Sequence, residues 1–140
     1  MGYGKKEEYK DFMENVNSFE EKLTQNGDYL IKLWFSIDKK TQALRFDIRQ
    51  QSPLKYWKYS INDAKAQDLW DKFTKYKEKL FDKTSTEANP WVIIDAIDKK
   101  ISGLNAIRYV LQTIPYDNKN NELIDKDYPE AVIVLKPETV

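Results

Sequence analysis

Apolar residues recur at three- and four-residue steps early in the chain, at Tyr9, Phe12, Met13, Val16, Phe19 and Leu23. That spacing predicts an amphipathic helix over residues 5–25. Asn26-Gly27 ends it, with Gly27 suited to the left-handed position after a helix. Residues 29–37, YLIKLWFSI, form a nearly continuous apolar run bounded by Gly27-Asp28 and Asp38. The run is short enough for a strand buried on both faces. A second helix is expected from Asp38 to about Gln51. Pro53 cannot continue it and biases Ser52 toward extended backbone. Residues 60–62 supply capping candidates for a third helix, with one stripe through Ala66, Leu69, Trp70, Phe73, Tyr76, Leu80 and Phe81. Residues 84–90 read as a loop and residues 91–95, WVIID, as a second buried strand. Asp98 opens a fourth helix carrying Ile101, Leu104, Ile107, Leu111 and Ile114, closed by Pro115. Residues 117–130 are polar, and residues 131–135 are a weak strand candidate.

Two apolar strands separated by helices predict an α/β fold with a short parallel sheet. Two or three strands make a thin sheet for that class. The aromatic load, with four Trp, nine Tyr and six Phe, suggests helix faces meant to cover more sheet than this. Two readings stay open: part of a larger domain, or a compact, mostly helical domain whose tail strand completes a small sheet. An incomplete sheet exposes an edge and an apolar face, so self-association is expected of the folded chain.

Composition narrows the chemistry. Lys+Arg and Asp+Glu both number 23. No global field draws the chain to nucleic acid or a membrane, so any anion site must be local. With no Cys and no His, thiolate or imidazole metal sites, cysteine nucleophiles and histidine bases are excluded. No apolar run approaches the ~18 residues of a membrane span, and the polar first ten residues lack a signal-peptide core. A cytoplasmic location is expected.

One local charge pattern stands out. Arg45 and Arg49 lie at helical spacing, followed by Lys55 and Lys58 within Pro-Leu-Lys-Tyr-Trp-Lys. Only Asp47 opposes these four cations between residues 43 and 60. Such a cluster could grip phosphate; charge runs are more often a solvated face, here with aromatics that pin a loop to the body. Asp63 reads as a first-turn helix acid. Asp95, at a strand end, reads as a cap for the following helix, and Asn105 and Arg108 as structural. A phosphate-binding loop, G-x-x-x-x-G-K-[ST] after a strand, is not in the sequence. Gly2-Tyr3-Gly4-Lys5-Lys6 has the wrong spacing and reads as an N-terminal tail.

Several of these motifs occur together, in order and at matching spacing: LIKLWFSI, Gln42, Arg45-Phe46, PLKYWK, Trp70, Phe81, Thr84, Thr86, Ala-Asn-Pro-Trp91, Asp98-Lys99, Leu104-Asn105 and Ile-Pro-Tyr116. In this the chain resembles the polyphosphate kinase 2 family, from about Gly2 to Tyr116. The resemblance implies a partial P-loop-kinase-like α/β/α fold, with residues 1–116 as the C-terminal part of the domain, a helical lid at about residues 45–70, and residues 117–140 as a tail. It implies phosphoryl transfer between inorganic polyphosphate and nucleoside mono- or diphosphates, with Mg2+, often in an oligomer. Arg45, Arg49, Lys55 and Lys58 would be the lid cations; no catalytic or metal-binding residue carries over.

The departures are specific. Gln67 and Leu69 stand where the family's lid carries arginines, Ser52 where it carries Asp, Gly103 where Arg is frequent, and Ile97 where an acid is frequent. The family's Walker A and Walker B motifs have no counterpart here. The expectation is therefore the C-terminal portion of a polyphosphate:nucleotide phosphotransferase, inactive alone and completed by a P-loop half or by self-assembly. The alternatives are a non-catalytic polyphosphate-binding or regulatory module that docks on an intact family member, and a folded fragment without a ligand.

Overall fold

The computed structural model describes residues 4–124 and 131–137. The N-terminal Gly2-Tyr3 pair and the polar residues 125–130 of the expected tail lie outside the described residues. Helix α1 (Lys6–Gln25) leads to strand β1 (Lys32–Ser36), and α2 (Lys39–Gln51), a 3-10 turn (Tyr56–Lys58), α3 (Ile61–Asp68) and α4 (Trp70–Thr84) follow. Strand β2 (Trp91–Asp95), α5 (Lys99–Thr113), the short α6 (Asn121–Ile124) and β3 (Val132–Leu135) complete it. The local signals act where they were expected. Gly27 takes φ 92° after α1. Asp38 and Asp98 cap α2 and α5, and Ser60 caps α3 in a reciprocal box with Asp63.

The Asp38 cap gives a pH-dependent prediction. Its hydrogen bonds with Thr41, through the hydroxyl and the backbone N–H, hold its carboxyl below the ordinary value, with Lys40 adding to the effect. A lowered folded-state pKa stabilises above the ordinary pKa, and the gain is lost as pH falls through the lowered value. The melting-temperature gap between wild type and Asp38→Ala should therefore be widest at neutral pH and shrink in acid. A pH-independent gap would rule this account out.

The sheet order is β1-β2-β3. β1 and β2 are parallel as expected, with Leu33 opposite Val92 and Phe35 opposite Ile94. The tail strand pairs antiparallel to β2, Val92 opposite Val134, so the sheet is mixed rather than wholly parallel. Antiparallel pairing lets the returning chain cap the far edge of β2 without another crossover helix. Alternation along the strands sorts the layers. Val92 and Ile94 are buried with Ala106 of α5, flanked by Leu33, Tyr109 and Val132. On the other face Trp34, Trp91 and Phe81 of α4 meet edge-on or tilted at 5.2–6.1 Å. The result is α5 on one side of the sheet and α4, with α1 packed against it, on the other.

Three expectations need correction. The stripe from Ala66 to Phe81 does not lie on one helix, because Leu69 (φ −98°, ψ 11°) separates α3 from α4. The stripe stays in phase across the break, but the two pieces pack differently. α3 is tied to α2 by Arg49–Asp63 and by Gln67 Nε2 donating to Gln42 Oε1 at 2.6 Å, whereas α4 covers the sheet. Second, β1 is not buried on both faces; it is an edge strand, and Phe35 is half exposed. Third, α5 turns its small and polar Ser102, Asn105 and Ala106 inward and leaves Ile101, Leu104 and Ile107 more than half exposed. A sheet this narrow cannot cover both sides of that helix.

Candidate functional site

β1 and β2 run parallel, so both C-terminal ends lie on one side of the sheet, where ligands bind in open α/β folds. Two segments meet there. One is the excursion from residue 38 to residue 69, holding α2, the 3-10 turn and α3. The other is the β2–α5 connection, residues 96–98, leading into the first turn of α5.

Arg45 joins them. Its Nη2 donates to the carbonyls of Ala96 and Ile97, both at 2.7 Å. Those contacts use both Nη2 hydrogens and leave Nε and Nη1 as further donors. Four residues on, one turn further along α2, Arg49 pairs with Asp63 at 3.1 Å and lies 5.4 Å from the Phe46 ring. Asp63 also accepts from the Ser60 N–H, which closes the α3 cap. Its expected role as a first-turn acid is met, and the ion pair with Arg49 is an addition.

Lys55 and Lys58 lie between these helices. Both are exposed, and neither has an ion pair among the described residues. Lys58 Nζ sits 5.2 Å from the Trp57 ring. Trp57 does not pin the loop to the body. Its indole N–H donates to Leu54 O at 3.0 Å within the same turn, and the residue is 76% exposed.

The structure thus brings all four sequence-predicted cations to one end of the sheet. It adds one that sequence reasoning passed over as a site residue. Lys99 is the first residue of α5, and its ammonium is held below the ordinary lysine pKa, first by lost hydration and then by Arg45, Arg49, Lys55 and Lys58. The available signal was the Asp98-Lys99 pair following a strand end. Nearby acids serve the backbone: Asp95 accepts from the Ile97 N–H, and Asp98 from those of Lys100 and Ile101. Asp95 therefore does not cap α5; Asp98 does. Among the described residues no group of three or more His, Cys, Asp or Glu could hold a metal ion. The carboxylates beside these cations, Asp63, Asp95 and Asp98, are engaged by Arg49 and by backbone N–H groups.

The family model for polyphosphate kinase 2 matches residues 1–122. The chain belongs to the polyphosphate kinase 2 family. It is 40% identical over 132 residues to a GDP-polyphosphate phosphotransferase of Mycolicibacterium smegmatis, covering 94% of this chain and 47% of that protein. An ADP-polyphosphate phosphotransferase 2 of Rhizobium meliloti is 39% identical over 145 residues, 99% of this chain and 47% of the relative. The crystal structure of polyphosphate kinase 2 from Arthrobacter aurescens TC1 superposes with a TM-score of 0.72 at 27% identity, over 84% of this chain and 45% of that one. The fold is α/β, as in that structure, and the chain spans about half the length of these relatives. No described helix is long and apolar enough to cross a membrane.

Proposed function

We propose that this chain is the C-terminal, lid-bearing portion of a polyphosphate:nucleotide phosphotransferase acting in the cytoplasm. Residues 1–116 belong to the phosphotransferase domain, residues 45–70 form the lid, and residues 117–140 are a tail. Arg45, Arg49, Lys55 and Lys58 grip the phosphates of polyphosphate or of a nucleoside mono- or diphosphate. The carrying observation is the gathering of these cations at the C-terminal ends of β1 and β2, where, among the described residues, only Asp63 is paired with one of them. Positioned cations neutralise charge on transferring phosphoryl oxygens. Arg45 and Arg49 are held by carbonyls and by Asp63 with donors to spare, and Lys55 and Lys58 are exposed on the turn between α2 and α3.

The chain alone is expected to be inactive. The sequence holds no phosphate-binding loop, and Mg2+ would be held by residues outside this chain. An apolar groove of about 550 Å3 between α1, α4 and β1 and the bare face of α5 fit a partner, either a P-loop half or further copies of the chain. The same features support a second reading, a non-catalytic module that binds polyphosphate while docked on an intact family member.

An assay with polyphosphate and ADP or GDP separates these readings. Turnover should be absent with the chain alone and appear when a polypeptide carrying the P-loop half of a relative is added. Robust turnover by the chain alone would overturn the proposal. Binding of polyphosphate with no turnover in any combination would favour the docked module.

A further inference from the structure

We infer that Trp57 is a stacking platform for the base of a nucleoside diphosphate whose phosphates lie on the lid lysines. This rests on the reading of the lid as a phosphate grip and assigns a place to the uncharged end of the ligand.

The turn between α2 and α3 does not hide its apolar side chains. Leu54, Tyr56 and Trp57 are 85%, 65% and 76% exposed. Neither ring pairs with another ring among the described residues. One exposed apolar side chain is ordinary, but a run of them marks a place where something binds. Trp57 is not loose either. Its indole N–H donates to Leu54 O at 3.0 Å. That bond holds the ring by its polar edge, so the flat faces are what the residue offers to a ligand.

The charges beside the ring say what kind of ligand fits. Lys58 Nζ lies over the ring, 5.2 Å from its centroid, a contact attractive in itself. Lys55 lies two positions before the ring, and neither lysine has an ion pair among the described residues. The turn thus presents a flat apolar surface next to two uncompensated positive charges. A polyphosphate chain would use the lysines and leave the ring bare. An apolar protein segment would use the ring and leave the lysines unmatched. A nucleotide, planar at one end and multiply anionic at the other, satisfies both. The indole N–H is already committed to Leu54, so Trp57 cannot donate to a base edge. Stacking is then its whole contribution, and stacking tolerates any base because every base has a π-face. Adenine and guanine should be held alike.

Calorimetry on the full chain at low salt, with ADP, GDP and inorganic tripolyphosphate as probes, tests this. Trp57→Ala should bind ADP and GDP about tenfold more weakly than wild type, while tripolyphosphate stays within about twofold. Retained tripolyphosphate binding also shows that the turn and its lysines are still in place. Trp57→Phe should keep most of the nucleotide affinity, because a ring face remains. Either nucleotide should quench tryptophan fluorescence in the wild type, and Trp57→Phe, which keeps Trp34, Trp70 and Trp91, should lose that quenching. Unchanged nucleotide binding by Trp57→Ala would overturn this inference, leave the lid reading intact and give the exposed ring to a protein partner. An equal loss of tripolyphosphate would overturn it as well, by making Trp57 a support of the turn. A wild-type chain that binds no tripolyphosphate would overturn both readings.

Discussion

The double variant Lys55→Ala/Lys58→Ala should bind long-chain polyphosphate roughly 100-fold more weakly than wild type, about tenfold for each lost charge-assisted contact. The size of the effect follows from the state of these two side chains. Both are exposed and lack an ion pair among the described residues, so their removal breaks no internal pair. The loss therefore appears in binding, while the melting temperature should hardly move. Isothermal calorimetry at two salt concentrations provides the check. Wild-type affinity should fall with ionic strength, because exposed charges are screened, and the double variant should depend on salt less steeply. Unchanged binding by the variant would remove these lysines from the site. Arg45 and Arg49 would not give so clean a result. Each also holds structure together, through the Ala96 and Ile97 carbonyls and through Asp63.

The second large effect is on stability. Lys32 lies within the apolar run of β1, yet it is one of the most enclosed side chains of the fold. Its ammonium donates to Glu20 Oε2 at 2.9 Å and to Thr84 O at 2.6 Å, and it faces the Trp91 ring at 5.1 Å. The side chains of the pair are 6% and 12% exposed. Together they fasten α1, the end of α4 and β1. Glu20→Ala leaves an enclosed ammonium without its counter-ion and should cost about 3–5 kcal/mol, as for other buried pairs broken on one side. That is a large share of the roughly 5–15 kcal/mol that holds an ordinary domain folded. Adding Lys32→Met should recover much of the loss by removing the stranded charge. Urea denaturation measures this as a fall in midpoint at constant slope. A loss below about 1 kcal/mol for Glu20→Ala would mean that water reaches the ammonium and the pair acts as an exposed one.

Much of the fold was legible because its signals are local. Asp38, Ser60 and Asp98 announced three helix starts, and each cap is formed by a side chain reaching two or three residues along. Gly27 and Pro53 marked two ends for reasons internal to their own backbones. The lid cations were legible as a cluster because they follow one another along the chain. Lys99 was not, since it lies 41 positions beyond Lys58 and joins them only when β1 and β2 pair in parallel. The α3–α4 break at Leu69 escaped periodicity for a related reason. Both pieces keep the same apolar phase, and what separates them is that one leans on α2 and the other on the sheet.

The sequence by itself determined the types and order of the main elements, the helix caps, the lack of a phosphate-binding loop in this chain and the cation-rich turn between two helices. Each of these depends on residues within a turn or two of one another. Only the tertiary structure decided that Lys32 of an apolar strand is an enclosed ion-pair partner, that α5 turns its polar residues inward, and that the tail strand runs antiparallel. It also decided that the Arg45 guanidinium closes on carbonyls 51 and 52 residues away. Those outcomes depend on which distant surfaces share space. Long-range strand pairing and layer packing set that, and the pattern of any single segment does not record it.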